Sequence, residues 1–138
     1  MKIVVDTNVL VSALIKDGKP RDLLFEIIRR KHDLIMSKDI LEEFSQTASD
    51  SKIRRYVDEQ DMIRFLRDVG SVSKIVKIKS RFKVVKEDPD DDVILRTCYD
   101  SKAKYIVSGD KHLLKLNRFR RIKIVTVDEM LQILKRRD

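Results

Sequence analysis

Two histidines and one cysteine in 138 residues leave little material for several common chemistries. A Cys-rich zinc site is excluded, and a Ser/His/Asp triad or a histidine-built metal centre is poorly supplied. The lone thiol, Cys98, has no intramolecular partner, which fits a reducing compartment and a cytoplasmic protein. Aromatic residues make up 6% of the chain and tryptophan is absent, so no base-stacking platform is evident. Three glycines and two prolines build no linker, and neither a repeat nor a low-complexity tract is visible. No apolar run approaches the roughly 20 residues of a membrane span. Met1-Lys2 leads straight into a short strand-like run, so neither a signal peptide nor a membrane span is expected.

Charge is what the chain has in quantity. Lysine and arginine number 31 against 23 acids, a net charge of +8. That balance suits a protein that meets a polyanion, most simply nucleic acid, although a general solubility charge gives the same sum. Hydrophobic residues at 42% supply a core. The length fits one domain, residues 1–138, able to bury roughly two-thirds of its unfolded surface.

Strand and helix signals alternate along the chain. Residues 2–6 read as a fully buried strand, 9–15 as a short helix broken by Asp17-Gly18, and 20–31 as a helix opened by Pro20. A short strand over 34–36 leads to a helix through about Ser49, then one or two charged helices over 51–69 ending at Gly70. Residues 72–86, with Val84-Val85, read as irregular or strand-like. Asp88-Pro89 opens another helix, aspartate as N-cap and proline at the first position. A strand over 104–108, a helical turn over 110–115, a strand over 122–127 and a helix over 128–136 complete the order. This alternation predicts an α/β fold, a three-layer α/β/α sandwich around a mostly parallel sheet. Right-handed crossovers then bring the strand-to-helix junctions to one rim, where such sheets bind ligands.

Four acids belong to that rim. Asp6 and Asp110 stand at strand-to-helix junctions. Helix angles sort the rest: Glu43 falls about 105° from the centre of its helix's apolar stripe, against about 150° for Glu42. Asp91 falls about 65° from its centre and Asp92 about 165°, so Asp91 is the inward acid and Asp92 the outward one. Any one of these could be an ordinary cap or a helix-dipole residue. Carboxylates crowded together repel unless a cation sits between them, and a hard divalent ion is the usual solution.

The strings VVDTNVLVSAL, SKDILEEF, EDPDDDVIL and YIVSGDKHLL carry a specific resemblance. In order and spacing the sequence resembles the PIN-domain nucleases over nearly its whole length. The resemblance implies Mg²⁺ or Mn²⁺ bound by Asp6, Glu43, Asp91 and Asp110, and hydrolysis of RNA phosphodiester bonds. It also implies polar helpers at Thr7, Asn8 and Ser108, pairing as a homodimer and, for a toxin of this family, a small antitoxin protein as partner. The resemblance equally admits RNA processing or a non-catalytic nucleic-acid-binding module. Many relatives carry an acid two residues after the last aspartate; His112 stands there, a substrate contact or surface residue rather than a ligand. A signalling receiver domain would need an acidic pair after the first strand and a lysine after the last. Val5 is followed by one acid, and Val127 by Asp128-Glu129.

Basic residues around the rim would hold the RNA backbone. The candidates are Lys52, Arg54, Arg55, Arg64, Arg67, Arg118, Arg120 and Arg121. Cys98 and the stripe Met62, Ile63, Leu66 and Val69 read most simply as core, with a dimer surface as the stripe's alternative.

Overall fold

The computed structural model describes residues 1–136. Its elements, in chain order, are β1 (Lys2–Val5), α1 (Thr7–Ile15), α2 (Lys19–Arg29), β2 (Asp33–Ser37), α3 (Lys38–Ala48), α4 (Ser51–Arg54) and α5 (Glu59–Val72). There follow β3 (Ser73–Val76), α6 (Pro89–Ser101), β4 (Tyr105–Val107), α7 (Lys111–Leu116), β5 (Arg118–Phe119), β6 (Ile122–Val125) and α8 (Val127–Arg136). The strands form one sheet in the order β3-β2-β1-β4-β6-β5. Every pairing is parallel except β5 with β6. This is the mostly parallel α/β fold that the alternation predicts.

The central strands are apolar on both faces because helices cover both. Ile3, Val4 and Val5 of β1, with Ile106 and Val107 of β4, are at most 1% exposed. From β1 the chain steps to β2 and β3 in one direction, then returns across the sheet to β4. Right-handed crossovers therefore put the connecting helices α1–α5 on one face and α6 on the other. The reversal lies between β1 and β4, so the chain ends leaving those two strands flank a crevice. No helix among the described residues is long and apolar enough to cross a membrane.

One strand, β5, escapes the sequence patterns. β3 lies within the stretch expected to be irregular or strand-like, and β5 follows the helical turn at α7. Val84 and Val85, by contrast, join no strand. They belong to an extended segment, residues 77–87, that leads from β3 into α6. The charged region 51–69 is two helices, and the second runs through Gly70 to Val72 instead of stopping there. Cys98 is fully buried, as are Met62 and Val69 nearly so, while Ile63 is 53% exposed.

Candidate metal centre

Asp6 follows the last residue of β1, and its N–H donates to Val107 O at 2.9 Å, tying the ends of β1 and β4 together. Its side chain caps α1, Oδ1 accepting from the Asn8 N–H at 3.4 Å. Oδ2 accepts from the Ser108 hydroxyl at 2.7 Å, and the same Ser108 Oγ accepts from the Asp110 N–H at 2.9 Å. One buried serine thus links the two strand-to-helix junctions. Asp110 caps α7 in turn, accepting from His112 N–H and Leu113 N–H.

From the opposite face, α6 brings two more acids. Oxygens of Asp88, Asp91 and Asp110 all lie within 4.8 Å of one another. Asp88 is the N-cap of α6, one oxygen accepting from the Asp90 N–H at 3.0 Å. Asp91 is 5% exposed, and its Oδ2 is buried without a hydrogen-bond partner. Leaving such an oxygen bare inside a protein costs about 1–3 kcal/mol or more.

The electrostatics record the crowding. Burial, then the neighbouring charges of Asp110, Asp88 and Asp6, push the Asp91 carboxyl up to about 7. Burial also raises Asp6, aided by the Asp110 charge and opposed by the hydrogen bonds from Ser108 and Asn8. Glu43 is raised by burial and by the charges of Asp90, Asp6 and Asp88. An all-carboxylate donor set with one bare, buried oxygen fits a hard divalent cation.

Of the four acids singled out by sequence, Asp91 and Asp110 enter the tight group, while Asp6 and Glu43 stand within electrostatic reach of it. Asp88 completes the group, although its sequence position reads as a cap. The capping role was legible in Asp-Pro; the place in the cluster was not. Thr7 Oγ1 is buried and near enough to Glu43 to favour its ionised form, yet makes no hydrogen bond of normal length. Asn8, expected as a polar helper, reaches Asp6 through its backbone N–H. Its side chain lines an open groove beside Asp110, with Ser12, Lys19, Lys111 and Thr126. His112 is an exposed residue of α7.

Two expectations are corrected. Asp92, expected to face outward, is 4% exposed, because segment 77–87 lies along that side of α6 and donates Val84 and Val85 N–H to it. Arg118, Arg120 and Arg121 lie where the β5–β6 hairpin turns into the start of β6, at the opposite end of the parallel strands from the acids. Arg120 is occupied internally, its guanidinium 4.7 to 5.3 Å from the ring centres of Tyr99, Phe119 and Phe82. Lys52, Arg54 and Arg55 are exposed on and just after α4. Arg64 and Arg67, exposed on α5, lie 3.6 and 3.8 Å from Asp61 and Asp68 of the same helix.

A crevice at the reversal of a parallel sheet, walled by carboxylates, defines an α/β domain suited to holding a cation at the carboxyl ends of its strands. The chain belongs to the PIN-domain family, whose model matches residues 2–112. An uncharacterised protein of Methanocaldococcus jannaschii is 36% identical over 118 residues, covering 84% of this chain and 75% of that one. Among solved structures, a chain of VapBC2 from Rickettsia felis, bound to a DNA fragment from the promoter, shares the fold. Its TM-score is 0.66 at 16% identity, covering 91% of this chain and 98% of that chain.

Proposed function

We propose that this protein is a single-domain, Mg²⁺- or Mn²⁺-dependent endoribonuclease acting in the cytoplasm. The observation that carries the reading is the bare, buried Asp91 Oδ2 within 4.8 Å of two further carboxylates. Capping accounts for Asp88 and Asp110 but not for a third acid buried against them, and their charges raise the cost of ionising Asp91. Membership of the PIN-domain family supports phosphodiester hydrolysis as the chemistry and RNA as the substrate.

Asp91, Asp88 and Asp110 would hold the ion, with Asp6 and Glu43 completing the site directly or through water. When bound, a divalent ion supplies an activated water and charge stabilisation at phosphorus oxygens. The chain's own residues do the placing. Ser108 fixes the Asp6 carboxylate and the Asp110 backbone in one arrangement, as groups behind a metal's ligands do. The three N-caps aim carboxylates at the crevice while their helices start away from it. No covalent nucleophile is required.

Fold likeness to VapBC2 supports a narrower role, the toxin of a toxin–antitoxin pair with a small antitoxin partner. Exposed cations on α4 and α5 would hold the RNA backbone outside the crevice. The decisive experiment compares RNA cleavage by the wild type with that by Asp6→Asn and Asp91→Asn. Mn²⁺-dependent cleavage falls about a hundredfold or more in each variant, with circular dichroism unchanged. Folded variants that cut as fast as the wild type would remove the proposal.

A further inference from the structure

Segment 77–87 has no strand or helix hydrogen bonds of its own. Its amides and carbonyls must find other partners, and four of the amides and one carbonyl find them on one row of α6. Asp100 Oδ2 accepts from Lys79 N–H at 2.7 Å and from Ser80 N–H and Oγ–H at 3.0 Å each. Arg96 donates Nε–H and Nη2–H to Phe82 O at 2.9 and 2.7 Å. Asp92 Oδ1 accepts from Val84 N–H at 2.9 Å and Val85 N–H at 3.0 Å. Residues four apart lie one above another on a helix, so these three form a ladder of acid, base and acid. The segment therefore runs antiparallel to α6, and three residues past Val85 it delivers Asp88 to the acidic centre.

We infer that Asp92 is a positioning residue for that centre, acting through Asp88 by clamping the chain that leads into it. The inference rests on the metal-dependent reading given above. Asp88 is not held by the helix in the way Asp91 is: as N-cap it has extended backbone, φ −147° and ψ 102°, so its placement depends on where the incoming chain is fixed. The rung nearest to it is Asp92, and this rung is buried. A mere surface tether would not need a carboxylate 4% exposed whose one oxygen takes two backbone N–H groups. Asp100, at the far end, fixes residues eight and nine positions before Asp88 and has little hold on it.

The test reads Mn²⁺ binding by calorimetry with no RNA present, in a double-mutant cycle of Asp92→Ala and Asp88→Asn. In the wild-type background Asp92→Ala weakens Mn²⁺ affinity tenfold or more, the range for groups that orient metal ligands. In the Asp88→Asn background the same change has no further effect, because its route to the metal is already gone. An equal loss in both backgrounds would mean a general charge or stability effect and overturns the inference. So does an Asp92→Ala protein that binds Mn²⁺ like the wild type. A wild type that binds no Mn²⁺ removes the functional reading itself, and the inference with it. Should Asp92→Ala not fold, the wild type decides by hydrogen exchange. Coupling is reciprocal, so saturating Mg²⁺ slows exchange of the Val84 and Val85 amides about tenfold, and unchanged rates overturn the inference.

Discussion

A carboxyl group pushed up to about 7 is half protonated at neutral pH, and Asp91 is in that condition before any ion arrives. Its ordinary value is 3.8, so between about pH 4 and 7 the folded protein binds protons that the unfolded chain has released. Stability of the ion-free protein therefore falls as pH rises through that window. Asp6 and Glu43, both raised, act in the same direction. Asp91→Asn removes the largest share of this burden. We predict that in chelator the variant melts several degrees above the wild type at pH 8 and close to it at pH 4.5. Mn²⁺ at pH 8 raises the wild-type melting temperature by mass action and moves the variant much less. Wild type and variant with parallel pH profiles would show that Asp91 carries no such strain.

The helices α3 and α6, which carry Glu43 and Asp91, are joined by a buried pair of hydroxyls. Ser37, N-cap of α3, accepts from Ile40 N–H at 3.2 Å and lies 2.9 Å from Thr97 Oγ1 of α6. Ser37→Ala leaves the Ile40 N–H without its partner in a buried place, and we predict a loss of about 1–2 kcal/mol in urea unfolding at unchanged m. A loss under about 0.3 kcal/mol would show that the cap contributes nothing. The β1, β4 and α6 boundaries were readable in advance, because apolar runs and Asp-Pro act locally. The edges were less so: β3 opens on the polar Ser73 and Lys74 and was read only as irregular or strand-like, and β5, just Arg118 and Phe119, carries no apolar run to detect. The wheel misjudged Asp92 for a related reason: it counts a helix's own apolar stripe and cannot see a segment laid over the other side. Asp88 was hidden by having two jobs, one of them local.

Charge distribution is a property of the whole molecule, and the net +8 conceals its arrangement. Acids gather at the carboxyl ends of β1 and β4, yet the groove that opens from Asp110 carries Lys19 and Lys111 on its walls. Lys19 is paired with Asp128 at 2.9 Å across the groove, which leaves Lys111, exposed and next to Asp110, as the cation best placed for a phosphate entering there. Arg121 offers the same charge from the start of β6, a full strand length away on the far end of the sheet. Composition alone ranks these two residues equally; the parallel register separates them. Each phosphate contact adds its own share of counterion release, so losing one lowers the salt slope of binding by about one. We predict that Lys111→Glu, built into the non-cleaving Asp6→Asn protein, weakens binding to single-stranded RNA and flattens its dependence on salt, whereas Arg121→Glu leaves both unchanged. Equal losses in the two variants would mean that RNA is held by diffuse surface charge, with no preferred path past Asp110.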